Sequence, residues 1–228
     1  MLVDLAALIA NSTSTQATAT SNATWVGNLF EGVVVGIVTG IVSSIIVIKL
    51  TMRYQEPKFE VVPDEDRYSG EDKRWVHLKV KNVSKPFLGG GEATNCRGEV
   101  TINGKPYFTK WATRPEPLRL EVVAVGDGKF RTVVISDPVL YDTARNEYIP
   151  PGEEKTLDVA YRAKGDESCF VNIPENYPNP RNDTRVGTGQ FEFTLVLHYS
   201  GGKSNPFKFL LKNGEGDSPG QLTIGRAP

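Results

Sequence analysis

The sequence predicts an all-β domain, built as an antiparallel sandwich and anchored by one N-terminal transmembrane α-helix. Three observations predict it. From Gly32 to Ile48 the chain reads GVVVGIVTGIVSSIIVI, without one charged residue. Beyond Pro57 apolar and polar residues alternate at period two, the pattern of strands that bury one face. Between those runs stand clusters of Gly, Pro and Asn that turn the chain, within totals of 22 glycines and 15 prolines. Four parts follow: a flexible tail over 1–28, the helix over 29–52, a charged linker over 53–73, and the sandwich over 74–228.

The apolar run is long enough to cross a bilayer. Gly32 to Leu50 is 19 residues, about 28 Å as a helix at 1.5 Å per residue, against a hydrocarbon core of about 30 Å. A helix satisfies its own backbone groups there, so the β-branched content matters less than in water. Trp25 and Tyr54 flank the run, where amphipathic rings favour the headgroup zone. A cleaved leader is not expected, because no basic residue precedes the run and Lys49 follows it.

Residues 1–48 hold no Lys or Arg, whereas Lys49, Arg53, Lys58 and Arg67 follow the span. Basic flanks stay in the cytoplasm. Lys49, Arg53 and Lys58 therefore predict the N-terminus outside and the β domain in the cytoplasm of a single-pass protein of the cell membrane. Gly32, Gly36, Gly40 and Ser44 fall at four-residue spacing on one helix face, where a second helix can approach closely. This predicts a homo-oligomer through the helix.

The tail segment NSTSTQATATSNAT, residues 11–24, is too polar to build a core. Asn11 and Asn22 match the glycosylation pattern. Leu2 to Ala10 is apolar but too short to span a membrane.

In the β domain, Trp75–Lys81 sends Val76, Leu78 and Val80 to one face, and Asn95–Ile102 sends Cys96, Val100 and Ile102 to one face. Asn103-Gly104 is a hairpin signal leading into Tyr107–Trp111. Further strands are expected over Leu118–Val125, Phe130–Ser136, Thr156–Tyr161 and Cys169–Val171. Phe191–Tyr199 places Phe191, Phe193, Leu195, Leu197 and Tyr199 together. Phe207–Leu211 repeats the pattern, and Gln221–Ile224 closes an edge. No long segment after the span has a helical period.

Val80-Lys-Asn-Val, Ala93-Thr-Asn-Cys96-Arg-Gly-Glu-Val, Trp111 and Ile149-Pro-Pro-Gly-Glu-Glu-Lys-Thr-Leu-Asp-Val carry a resemblance over about residues 74–161. This stretch resembles the immunoglobulin-like or fibronectin-like sandwich domains of uncharacterised prokaryotic single-pass membrane proteins. The resemblance implies an Ig-like fold, with an inward Cys and a Pro-Gly turn before a strand. It implies no catalytic residues.

Chemistry is sparsely signalled. Lys+Arg 26 against Asp+Glu 27 gives a net charge of −1, unlike a dedicated nucleic-acid binder. Cys96, Cys169, His77 and His198 lack the paired spacing of a zinc site, and both histidines read as outward-facing on their strands. The domain has no methionine for a copper site; Met52 stands at the membrane edge. No GxSxG elbow occurs. Gly89-Gly-Gly-Glu lacks the Lys-Ser/Thr of a phosphate loop, and Asp64–Asp72 misplaces the ligands and glycine of a calcium loop. Pro174–Pro180 reads as a plain loop. No metal and no cofactor is predicted.

In the cytoplasm Cys96 and Cys169 stay reduced; outside, they can bridge. The expected function is a non-catalytic, membrane-tethered protein-interaction module, with the lipid bilayer, a second copy and a protein partner as its contacts. The alternative is an extracytoplasmic envelope or surface component of inverted topology, which a Cys96–Cys169 bridge or sugar at Asn82 or Asn182 would favour. A third reading is an enzyme whose site the sequence does not announce.

Overall fold

The computed structural model describes residues 24–64, 72–84, 91–126 and 129–227. Asn11, Asn22, the Leu2–Ala10 patch, Arg67 and Gly89-Gly90 lie outside the described residues. The chain divides into two compact units, Met1–Met52 and Arg53–Pro228.

Among the described residues the first unit holds most of one helix, α1 (Thr24–Gln55), which starts within the stretch expected as tail. Its segment Glu31–Thr51 is 21 residues long and apolar enough to cross a membrane. A Cβ added at Gly32, Gly36 or Gly40 would meet nothing within 4 Å, so this face of the helix is open. The Ser44 hydroxyl donates to the Gly40 carbonyl at 2.7 Å, which satisfies it inside the apolar run.

The second unit is mostly β and antiparallel. Its strands are β1 (Phe59–Asp64), β2 (Lys73–Asn82), β3 (Ala93–Ile102), β4 (Lys105–Phe108), β5 (Leu118–Gly126) and β6 (Lys129–Ser136). A single-turn helix, α2 (Tyr141–Arg145), precedes β7 (Glu147–Ile149), β8 (Glu154–Ala163) and β9 (Cys169–Val171). Then come β10 (Arg185–Val186), β11 (Gly189–Tyr199), β12 (Gly202–Lys203), β13 (Phe207–Asn213) and β14 (Leu222–Arg226).

One sheet has the order β1-β2-β8-β9-β10, and the other β14-β13-β11-β3-β4 with β7 on β3 and β12 on β11. The stretch expected as a linker therefore contains a sheet strand, β1, paired with β2 from Phe59↔Asn82 to Asp64↔His77. Asp64, first residue of the rejected calcium loop, is buried and faces Lys79 Nζ at 3.5 Å.

The two sheets share one core. Val76, Leu78 and Val80 of β2 meet Cys96, Val100 and Ile102 of β3, Leu157 and Val159 of β8, and Phe193, Leu195 and Leu197 of β11 in one cluster. The alternation read from the sequence therefore selects the buried faces correctly. Phe193 stacks on Phe209 with ring centroids 5.5 Å apart. Gly98 is required by close approach: a Cβ there would stand 2.9 Å from Leu157 Cδ1 and closer still to Cδ2. Asn103 and Gly104 adopt φ of 53° and 75°, the left-handed pair that a tight hairpin between β3 and β4 needs.

Polar ties close the edges of this core. Arg162 on β8 is fully buried and donates to the carbonyls of Asp166 (2.7 Å) and Gly214 (2.6 Å), to Asn213 Oδ1 (2.7 Å), and to the Gly216 carbonyl. It binds β8 to the connection between β13 and β14. The Pro150-Pro151-Gly152 turn is held by the Gly152 N–H donating to the Asn82 carbonyl at 2.7 Å.

β5 and β6 join neither sheet. Among the described residues they pair only with each other, as a hairpin inserted between β4 and α2. Both strands were expected from the alternation, but as members of the sandwich.

Candidate functional site

Two features of the second unit stand out chemically: a buried ionic cluster beside a small pocket, and the β5–β6 hairpin.

The cluster forms around Asp158. β2 and β8 pair with a register shift, Val76↔Ala160 and then His77↔Asp158, which leaves Val159 extra on β8 and sets His77 opposite Asp158. His77 Nδ1 lies 2.8 Å from Asp158 Oδ1. Asn172 Nδ2 donates to Asp158 Oδ2 at 3.1 Å, and Lys110 Nζ stands 3.7 Å from the same oxygen. The side chains of His77, Lys110 and Asp158 are 3%, 6% and 8% exposed. Lys110 Nζ also donates to the Trp111 carbonyl at 3.3 Å.

The backbone explains the placement. The segment through Lys110 runs along β8: the Asp158 N–H donates to the Lys110 carbonyl at 2.9 Å, and the Ala112 N–H to the Thr156 carbonyl at 2.9 Å. His77 was expected to face outward. It does lie opposite the core face of β2, yet it is buried, because this segment and Tyr177 cover it. Strand alternation reports which face a residue takes, not what covers that face.

Trp75, His77, Lys110, Ala112, Glu116, Asp158 and Tyr177 line a pocket of about 150 Å³. Burial, with Glu116 and Asp158 nearby, raises the Tyr177 phenol well above its ordinary value, so it remains a neutral donor. A carboxylate that orients an imidazole is an arrangement used by general bases. No Ser, Thr or Cys lines this pocket to serve as a nucleophile. Among the described residues, no group of three His, Cys, Asp or Glu is placed to hold a metal ion.

The other residues singled out in the sequence do not converge here. His198 on β11 is half-buried, with Nε2 2.9 Å from Glu99 Oε2 and its ring edge-on to Phe108. Cys96 faces Glu147 across β3 and β7, and Cys169 faces Val186 across β9 and β10. Both are buried free thiols. Burial pushes each from an ordinary 9.0 up to about 12, with the Glu147 charge adding to the effect at Cys96. Burial also raises Tyr161 from 10.0 to about 12.

These raised values predict alkaline weakening. A thiol that ionises near 9.0 when unfolded and near 12 when folded favours the folded state fully below 9.0, and this contribution is lost as pH climbs toward 12. The urea midpoint is expected to fall steadily between pH 9 and 11, and iodoacetamide should label both cysteines only after unfolding. A midpoint flat to pH 11, or labelling of the native protein at pH 8, would contradict the burial of the thiols.

The hairpin is the second feature. Leu120, Val122, Val125, Phe130 and Val134 are all exposed, four of them by more than 60% of their surface. Its base is closed by the Asp137 N–H donating to the Pro117 carbonyl at 2.7 Å, and Ser136 Oγ meets the Tyr141 hydroxyl of α2 at 2.5 Å. Sequence reasoning found both strands and missed their isolation, since alternation looks the same whether a second layer covers the face or not.

No protein-family model, no curated protein and no solved structure matches this chain. The fold and the helix define a class: a mostly β, antiparallel domain behind one N-terminal helix long and apolar enough to cross a membrane.

Proposed function

We propose that this chain is a membrane-tethered interaction module that works by contact, not catalysis. The β5–β6 hairpin carries the reading. It displays a row of large apolar side chains that its own domain leaves uncovered, and such patches mark contact surfaces. The pocket at Asp158 is small and no Ser, Thr or Cys lines it, which favours contact over chemistry.

The helix α1 is the anchor in this reading, and Lys49, Arg53 and Lys58 hold its C-terminal end in the cytoplasm. Free Cys96 and Cys169 suit that compartment. The two-sheet core with buried Cys96 and Trp111 supports an immunoglobulin-like sandwich as the scaffold.

A photo-crosslinking residue at Val122, with Glu60 on β1 as control site, tests the contact in intact membranes. Protein adducts at Val122 and none at Glu60 are expected. No protein adduct at Val122 would remove the interaction reading. Protease added to spheroplasts tests topology with a C-terminal tag. Protection is expected, and digestion would transfer the domain to the envelope reading.

A further inference from the structure

The pocket beside Asp158 carries one acid that the ionic cluster does not engage. Asp158 itself is satisfied within the cluster: Oδ1 meets His77 Nδ1 at 2.8 Å, and Oδ2 accepts from Asn172 Nδ2 at 3.1 Å and faces Lys110 Nζ at 3.7 Å. Glu116 lines the same pocket, is exposed, and has no ion-pair partner among the described residues. Arg114, close by in sequence, is held instead by Glu147 at 3.0 Å. With a neutral imidazole, Glu116 and Asp158 against Lys110 leave the lining with negative charge in excess.

Aromatic rings supply the rest of the wall. Trp75 and His77 take the same outward face of β2, because side-chain direction alternates along a strand. The Trp75 ring stands 6.4 Å from that of Tyr161, which stacks on Phe170 at 5.7 Å. Lys73 Nζ lies 5.8 Å from the Tyr161 centroid, so this row of rings already attracts an ammonium from within the chain. Trp75 belongs both to the row and to the pocket, and indole is the best of the aromatic faces for a cation. Tyr177 lines the pocket as a phenol, because burial and the nearby acids raise it; its oxygen is an acceptor that adds no charge.

Charge and shape together select the guest. An anion meets Glu116 and Asp158, and the Lys110 ammonium that could hold it already sits between Asp158 and the Trp111 carbonyl. A metal ion finds no group of three His, Cys, Asp or Glu among the described residues. An alkylammonium sets its head at Glu116 and its stem along the rings. A volume of about 150 Å³, at roughly 10–15 Å³ for each water-sized group, admits a short alkyl chain with its head.

We propose that this pocket is a binding site for one alkylammonium group, with Glu116 as its counter-ion and the Trp75 and Tyr177 rings as its walls. Two sources carry that chemistry: a free alkylamine, and a lysine side chain of another protein. The site stands independently of the hairpin contact, so an absence of adducts at Val122 leaves it intact.

The test titrates the full chain, in non-ionic detergent, with n-butylammonium, n-butanol or butyrate, followed by saturation-transfer NMR. The three share a stem and differ in the head. Saturable binding of n-butylammonium is expected, about tenfold tighter than that of the other two. Glu116→Gln should weaken it about fivefold. Glu116 is exposed, so the urea midpoint of that variant should not move. Trp75→Leu should also weaken binding about fivefold; Glu116→Gln keeps the test valid if Trp75→Leu folds poorly. N-acetyl-lysine N-methylamide separates the two sources. Tighter binding than n-butylammonium supports the site with a protein lysine as its guest, and equal or weaker binding supports it with a free amine. Butyrate or n-butanol binding as tightly as n-butylammonium, unchanged affinity in Glu116→Gln, or no saturable binding of n-butylammonium overturns the site.

Discussion

Asp158→Leu is expected to lower the unfolding free energy by about 3–5 kcal/mol, the usual cost of removing one partner from a buried ion pair. The carboxylate accepts from Asn172 Nδ2, pairs with His77 Nδ1, and is the anion beside Lys110 Nζ. Removing it takes away the acid that Lys110, a side chain only 6% exposed, pairs with among the described residues. The size of the effect comes from that stranded cation more than from the attraction lost. Lys110→Met combined with Asp158→Leu should therefore recover most of the loss, since an apolar pair of similar volume often replaces a buried ion pair at little cost. Urea unfolding of the four members of this cycle, in mild detergent and with an unchanged slope, measures the coupling. Additive single effects would show that Lys110 does not depend on Asp158.

Trp111→Ala is expected to cost about 3–5 kcal/mol, as for other fully buried large aromatics. Trp111 is completely buried and bridges to Leu157 of β8. Its indole N–H is shared between the carbonyls of Cys96 on β3 and Arg145 at the end of α2, each at 2.9 Å. Its backbone N–H donates to the Ala144 carbonyl at 3.1 Å. Through its backbone and its indole together, this one residue joins both sheets and the turn that carries α2. Trp111→Phe keeps most of the ring and loses both hydrogen bonds, so about 1–3 kcal/mol is expected from the carbonyls left unpaired. A thermal scan followed by near-ultraviolet circular dichroism separates the two variants. A Phe variant as damaged as the Ala variant would place the whole effect in the hydrogen bonds.

The sequence carried the local half of this structure. An uncharged run from Gly32 to Ile48 can satisfy itself only as a helix in lipid, so its helical form and membrane-crossing length need no tertiary information. The alternating residues of β2, β3, β11 and β13 point inward because side-chain direction in a strand has period two, whatever packs on top. Asn103-Gly104 turns the chain because both residues accept positive φ. Strand β1 was read as part of a charged linker: Phe59–Asp64 contains a proline and two acids, and its place beside β2 comes from pairing across the sheet.

What only the tertiary structure decided is which surfaces are covered. His77 reads as outward-facing, and Arg162 lies just beyond the strand expected over Thr156–Tyr161, yet both are buried. Segments distant in sequence, through Lys110, Tyr177 and Asn213, close over them and supply partners. Leu120, Val122 and Phe130 lie in strands expected within the sandwich, yet they stand exposed on a hairpin that neither sheet receives among the described residues. Burial depends on contacts between residues tens of positions apart, and periodicity reports only the direction a side chain takes from its own backbone. The sequence by itself therefore determined the apolar helix and the inward faces of β2, β3, β11 and β13, and the fold alone decided where the ionic cluster and the bare apolar face would be.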